Sequence, residues 1–152
     1  MAHEDLYQSL LIKRANHPLF KQELPQVNKM GQAKNPLCGD FVQINLFCSE
    51  EKIEKIQHIT EGCLICKVAA DIMAEKVVGL SLPEIQKEFT HFQNIIISGT
   101  SPAEGDLYSG FAPLYHYKAR INCATLSWFA LLSALGVQNT PEKPGGRSYG
   151  SK

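Results

Sequence analysis

The spacing of hydrophobic residues along this chain changes at Gly62, from the alternation of a strand to the spacing of a helix. This change limits the folds that the chain can adopt. From residue 41 to residue 48, apolar and polar side chains alternate, as they do in a strand with one buried face. A turn at residues 49–52 leads into a second extended run at residues 53–60. After Gly62, apolar residues recur at helical spacing, so a helix begins at Cys63. The pattern predicts a β-hairpin followed directly by a helix.

Two elements are predicted before the hairpin. Leucines at helical spacing indicate an amphipathic helix over about residues 3–15, which we expect to pack as a lid. A third strand is predicted within residues 21–35, although Gly31 and Lys34 weaken its pattern.

Two more helices and a loop are predicted after the helix that begins at Cys63. A serine and a proline mark the start of a helix over residues 82–92, and residues 97–106 are rich in loop-forming residues. The last helix, from about residue 119 to residue 135, is apolar almost all round. Such a helix is buried on every side, so we expect Trp128 in the core.

The size and charge of the chain exclude several classes of protein. Its 152 residues suit one compact domain. Lysine and arginine total 15, and aspartate and glutamate total 15, so no long-range field draws the protein to nucleic acid or anionic lipid. The longest apolar stretch, residues 128–135, is far shorter than the roughly 20 residues of a membrane-spanning helix. We therefore expect a soluble cytoplasmic protein without nucleic-acid or membrane partners.

The cysteines indicate metal or redox chemistry. There are five, at positions 38, 48, 63, 66 and 123, and residues 1–6 show no export signal. An odd number of cysteines in a chain without an export signal argues against a complete disulfide framework. Metal or redox chemistry in a reducing compartment is the better interpretation.

Three segments of the chain carry candidate metal ligands. Cys38 and Asp40 flank Gly39 in a turn before a strand, Cys63 begins a helix, and Cys123 falls in the first turn of the last helix. If the fold brings them together, three thiolates and one carboxylate complete a tetrahedral zinc set. Unpaired backbone N–H groups at helix starts favour thiolates, so both helix cysteines are predicted to be reactive.

Other residues near these segments have a supporting role or none. Arg120 offsets the negative charge of the ligand set. Cys48 falls on the inward face of its predicted strand, so it is assigned to the core. Cys63 and Cys66 form a CxxC pair, so dithiol redox chemistry stays open. No histidine is adopted as a ligand, and the loop carboxyl of Asp106 is expected to be solvated.

Three motifs in this order resemble the IscU/SufU/NifU N-terminal family of iron–sulfur cluster assembly proteins. They are Asn-Pro-Leu-Cys-Gly-Asp at residues 35–40, Glu-Gly-Cys-Leu-Ile at residues 61–65, and Ala-Arg-Ile-Asn-Cys-Ala-Thr-Leu-Ser-Trp at residues 119–128. The likeness covers about residues 5–137. Asn122 stands where IscU proteins have histidine, and residues 97–118 look like the insertion typical of SufU, so the SufU branch is the better match. Cys66 replaces the serine usual in the family.

The resemblance implies a fold, a site and partners. The fold is α+β, with a small antiparallel three-stranded sheet packed against helices, in a single domain over residues 1–137 followed by a disordered tail at residues 138–152. Cys38, Asp40, Cys63 and Cys123 are then the ligands of a zinc ion or, in the scaffold role, of iron or a [2Fe–2S] cluster. A PLP-dependent, SufS-like cysteine desulfurase is the implied sulfur donor, with other Suf-type assembly proteins as further partners.

Residue roles and alternatives follow from this resemblance. Cys38, on a glycine-containing loop, is the sulfur acceptor, which makes the protein a candidate zinc-dependent sulfurtransferase or, without turnover, a scaffold. Cys66 is left as a replacement ligand, a spare sulfur acceptor or core. The alternatives are a zinc-stabilised structural or adaptor domain and a dithiol oxidoreductase.

Overall fold

The computed structural model describes residues 2–37 and 39–137, with side chains from residue 9 onwards. Cys38 and the predicted tail at residues 138–152 lie outside the described residues. In chain order the elements are helix α1 (Ala2–Asn16), strands β1 (Lys29–Lys34), β2 (Phe41–Ser49) and β3 (Lys52–Glu61), helices α2 (Leu64–Val77) and α3 (Leu82–Ile96), a 3-10 helix (Leu107–His116) and helix α4 (Lys118–Ala134).

The three strands form one antiparallel sheet in the order β1-β2-β3. On β2, the side chains of Val42, Ile44 and Leu46 are fully buried, whereas the residues between them are half-buried. The alternation therefore decides which face of the sheet meets the helices, because successive side chains of a strand point to opposite faces. The predicted α+β fold with a small three-stranded antiparallel sheet is confirmed.

Strand β1 contains the glycine that weakened its prediction, and close packing is the reason. A Cβ atom on Gly31 would overlap the carbonyl oxygen of Ala130 and the backbone of Ala134 in α4. Glycine lets the backbone of a strand approach a helix more closely than any other residue does. The residue that lowers β-propensity here is required by the tertiary contact.

Helix α4 crosses the centre of the molecule. It packs against β1, β2 and α2, and the side chain of Trp128 is 1% exposed, as expected of a core residue. The Trp128 ring stacks on Phe89 of α3 at 5.1 Å between ring centroids and on Phe92 at 5.8 Å. Stacked aromatic rings stabilise a fold beyond the burial of their apolar surface, so this cluster holds α3 against α4.

Helix α3 and the segment after it differ from their predictions. The helix continues to Ile96, because Ile95 and Ile96 are buried and extend its apolar face. The segment after the loop is a 3-10 helix, and the carboxylate of Asp106 accepts a hydrogen bond from Tyr108 N at its start (2.8 Å). Asp106 also accepts one from His91 at 2.8 Å, so the prediction of a solvated loop carboxyl was wrong.

Two smaller features complete the fold. Cys48 is half-buried at the rim of the core and not inside it, because a register shift between Phe47 and Cys48 interrupts the alternation at the end of β2. Among the helices described, none is long and apolar enough to cross a membrane.

Candidate metal centre

Three of the predicted ligands meet at one end of the sheet. Asp40 directly precedes β2, Cys63 is the residue before α2, and Cys123 lies in α4. One carboxylate oxygen and the two sulfur atoms all lie within 4.8 Å of one another. The Cys63 sulfur is 3.9 Å from Oδ2 of Asp40. The described part of the chain has no other such cluster of histidine, cysteine and acidic side chains.

Gly62 makes room for this arrangement. It connects β3 to Cys63 with a φ of 153°, and a Cβ atom there would overlap the carboxylate of Asp40. Any side chain at residue 62 would push that carboxylate away from the two sulfurs. The glycine at which the hydrophobic period changes is therefore also a requirement of the site.

The donor set suits a divalent metal ion of borderline softness. Tetrahedral zinc with bonds of about 2.3 Å to sulfur places two sulfur ligands about 3.8 Å apart. The observed limit of 4.8 Å requires only a small closure of the cluster around an ion. Asp40 and Cys123 are each 4% exposed and Cys63 is partly exposed, so an ion held here faces solvent on the Cys63 side.

The two sulfurs differ in their affinity for a proton. A hydrogen bond from the Cys123 thiol, with further ones from the N–H groups of Cys66 and Ile65, lowers the pKa of Cys63 to about 6, against the effects of burial and of Asp40. The Cys123 pKa is raised, because its proton is held by Cys63 and because it is buried. Cys63 is therefore the thiolate of the pair, and Cys123 is the thiol that donates to it.

The prediction that the start of a helix favours the thiolate of Cys123, as it does that of Cys63, was wrong. Helix α4 begins at Lys118, two residues too early for Cys123 to lie in its first turn. The unpaired N–H groups of a helix are confined to its first four residues, so they do not reach Cys123. Only Cys63, directly before α2, receives them.

Arg120 lies beside the two sulfurs. It is exposed, and its pKa is raised by hydrogen bonding to Cys123 and by the charges of Cys63 and Cys123. An exposed guanidinium is screened by water, so its effect on the site is weaker than its proximity suggests. Its role as a charge-supporting residue stays a prediction.

Cys38, the remaining thiol of the predicted set, and Cys66, the extra cysteine, have different outcomes. Cys38 lies outside the described residues, so its place in the ligand set stays a prediction. Cys66 is fully buried in the hydrophobic core and is not part of the ligand cluster. Of the three roles left open for it, the core position is the one this burial favours.

Sequence reasoning missed one polar cluster. His58 and Asp71, each with a side chain that is 1% exposed, are hydrogen-bonded at 2.9 Å between Nε2 and Oδ1. The available signal was Asp71 itself, a charged residue in the middle of an otherwise apolar stretch of α2. Acidic residues are almost never fully buried unless they are paired.

The chain is similar to known proteins along most of its length. An iron–sulfur cluster assembly scaffold protein IscU from Streptococcus pyogenes serotype M1 is 29% identical over 132 residues, which cover 86% of this chain and 82% of that protein. A zinc-dependent sulfurtransferase SufU from Bacillus subtilis is 26% identical over 131 residues, with coverage of 84% and 88%.

A solved structure shows the same fold. The crystal structure of the N-terminal part of a NifU-like protein from Brucella abortus superposes with a TM-score of 0.76 at 18% identity, covering 90% of this chain and 96% of that one. The sequence profile of the NifU-like N terminal domain matches residues 6–97, which include Asp40 and Cys63. The chain belongs to the NifU-like N-terminal domain family.

Proposed function

We propose that this protein acts in iron–sulfur cluster assembly through a metal site formed by Cys38, Asp40, Cys63 and Cys123. The observation that carries the proposal is the convergence of the last three, from distant segments of the chain, to within 4.8 Å. Membership of a family whose relatives are named as IscU scaffolds and as a zinc-dependent SufU supports it. A reducing compartment, the cytoplasm, suits a site that depends on reduced thiols.

Zinc is the metal we assign to the resting site. When the ion displaces the proton of Cys123, two thiolates, a carboxylate and the thiolate of Cys38 give a closed tetrahedral set. Such a set holds zinc without redox chemistry. Iron or a [2Fe–2S] cluster on the same residues is the scaffold form of the proposal. Asp40 supplies the hardest donor of the set, which makes it the ligand best suited to exchange.

Cys38 is assigned as the sulfur acceptor. In the proposed step its thiolate attacks the terminal sulfur of a persulfide on a PLP-dependent, SufS-like cysteine desulfurase. A new S–S bond forms at Cys38, the S–S bond of the donor breaks, and the donor cysteine leaves as a thiolate, with no net oxidation. Gly39, with a φ of 78°, gives this loop a backbone conformation that other residues rarely adopt.

Metal analysis tests the first part of this proposal. Protein isolated without added metal is expected to contain zinc or iron, and Cys63→Ser and Cys123→Ser are expected to lose most of it. Cys48→Ser is the matched control, because Cys48 is a partly exposed thiol outside the ligand cluster. Metal-free wild-type protein that also fails to stimulate a cysteine desulfurase would overturn the proposal.

One structural feature favours a second candidate. The ligands join the start of β2, the start of α2 and the interior of α4, so a bound ion would also cross-link three elements, as structural zinc does. Cys38→Ala separates the two functions. Loss of persulfide acceptance in a folded protein supports sulfur transfer, whereas unfolding with no acceptance in the wild type supports a zinc-stabilised structural or adaptor domain.

A further inference from the structure

A buried hydrogen-bond network lies in the described part of the chain outside the ligand cluster. Asp71 in α2 accepts a bond from Nε2 of His58 in β3 at 2.9 Å. The other ring nitrogen of His58 is 2.8 Å from Oγ1 of Thr60. Both side chains of the His58–Asp71 pair are 1% exposed, and Thr60 is 6% exposed. Buried polar groups are costly unless they are satisfied, so the geometry of this network is tightly defined.

The network spans the corner that carries Cys63. Strand β3 ends at Glu61, and only Gly62 and Cys63 separate it from α2. His58 and Thr60 lie on the strand side of this corner, and Asp71 lies on the helix side. The hydrogen bond between His58 and Asp71 therefore holds the middle of α2 against β3, about two turns beyond Cys63.

The carboxylate of Asp71 also accepts hydrogen bonds from α1 and from the segment that follows it. Nε of Arg14 in α1 donates to its Oδ2 at 2.6 Å. The backbone N–H groups of Leu19 and Phe20 donate to the same carboxylate at 2.9 Å. With these donors in place, the carboxylate has little freedom to rotate, and His58 binds a fixed acceptor.

The atoms around Gly62 and Cys63 are closely packed, so α2 cannot shift there without moving a candidate ligand. The absent side chain of Gly62 leaves just enough room for the carboxylate of Asp40, and the Cys63 sulfur lies 3.9 Å from that carboxylate. A small rotation of α2 about the corner would change the distance from Cys63 to its two fellow ligands. Groups that orient metal ligands contribute strongly to metal affinity in other proteins.

We infer that His58 and Asp71 are positioning residues of the metal site, which hold Cys63 in place by clamping α2 to β3. The inference rests on the proposed function, because it presumes that the ligand cluster binds a metal ion. It assigns a measurable effect on metal affinity to a buried pair that is not part of the ligand cluster.

Cobalt titration of the metal-free full-length protein tests this inference. Cobalt(II) bound by thiolates absorbs in the near-ultraviolet and visible ranges, so affinity and ligand geometry are read from one spectrum. His58→Leu removes the bond to Asp71 and is expected to weaken cobalt binding about tenfold or more, with a shift of the visible bands. His58→Gln places an amide N–H near the position of Nε2 and is expected to restore both.

Two further variants separate positioning from stability. Ile56→Ala is the matched control, because Ile56 is a buried residue of the same strand that contributes only packing. It is expected to unfold more easily but to keep the cobalt affinity and spectrum of the wild type. Thr60→Val removes the hydrogen-bond partner of the other ring nitrogen of His58 with little change of side-chain shape. Like His58→Leu, it is expected to weaken cobalt binding, and it provides the test if His58→Leu does not fold.

The outcomes distinguish this inference from the proposed function. If the wild type binds cobalt and neither His58→Leu nor Thr60→Val changes the affinity or the spectrum, the network is only structural and the inference is overturned. The same conclusion follows if Ile56→Ala weakens binding as much as these two variants do. If the wild type binds no cobalt at its thiolates, the proposed function fails and the inference fails with it.

Discussion

Single residues decide how the candidate site is built. Gly62 leaves room for the carboxylate of Asp40, and Cys63 receives the N–H groups at the start of α2. Cys123, without such donors, keeps its proton and shares it with Cys63. Two cysteines that look equivalent in the sequence thus have opposite pKa shifts, because the Cys123 thiol donates to Cys63 and only Cys63 also receives N–H groups at a helix start.

A residue-scale prediction concerns Ser127 in α4. Its hydroxyl is fully buried and is the one buried side-chain polar atom of the described residues for which no hydrogen-bond partner is found. Ser127→Ala removes this unsatisfied group without creating a large cavity, so the free energy of unfolding is expected to rise by about 1 kcal/mol. Urea unfolding followed by circular dichroism measures it.

Thr125→Val is the matched control for Ser127→Ala. The Thr125 hydroxyl is also buried on α4, but it donates to the carbonyl oxygen of Ile121 at 3.2 Å. Its removal is expected to give no stabilisation. A loss of stability in Ser127→Ala would show that the hydroxyl has a partner in solution.

At the scale of elements, the β2–β3 hairpin is closed by a turn that its residues disfavour. Glu50 and Glu51 both have positive φ, 54° and 66°, between the paired residues Ser49 and Lys52. Two-residue hairpin turns of this kind favour Asn-Gly, because side chains other than asparagine and aspartate are strained at positive φ. The pairing of the two strands holds the turn in this conformation.

Replacement of the turn is therefore expected to stabilise the hairpin. The double variant Glu50→Asn/Glu51→Gly should raise the free energy of unfolding by about 1 to 2 kcal/mol, since each left-handed residue costs about 1 kcal/mol. Thermal and urea unfolding measure the gain. The variant Glu50→Ala/Glu51→Ala removes the same charges without relieving the strain, and an equal gain there would assign the effect to charge.

At the scale of the whole molecule, Asp71 connects elements that are far apart in the chain. It joins α1, the segment at Leu19 and Phe20, strand β3 and helix α2 through one carboxylate. Burial alone would raise the pKa of Asp71, but the donors around it outweigh this effect and hold the pKa well below its usual range. Folding therefore favours the ionised carboxylate.

This pKa shift predicts acid sensitivity of the fold. As the pH falls below about 4, the unfolded chain takes up a proton at Asp71 before the folded protein does, so stability from this network is lost. Asp71→Asn is expected to be less stable at pH 7 by about 3 kcal/mol and to show a flatter dependence between pH 5 and pH 3. Urea unfolding at a series of pH values measures both.

Glu104→Gln is the control for this pH series, because Glu104 is an exposed carboxyl. It is expected to match the wild type at every pH. An Asp71→Asn protein with the same acid dependence as the wild type would show that other carboxyl groups control acid unfolding.

The sequence by itself determined the hairpin, the helix that follows it and three candidate ligands that meet in the fold. The alternation in residues 41–48 and the helical spacing after Gly62 are local patterns, and local patterns record which face of an element is buried. Residue types and their positions in turns and at helix starts indicate the candidate ligands, the motifs around them resemble a known family, and the meeting of Asp40, Cys63 and Cys123 agrees with both.

Only the tertiary structure decided the features that depend on contacts between distant segments. The close approach of Gly31 to α4, the pairing of His58 with Asp71 and the different pKa shifts of Cys63 and Cys123 all belong to this group. None has a periodic signal, because each depends on the distance between atoms that the sequence separates by many residues. Packing sets that distance, and with it the energy of a buried charge or hydrogen bond.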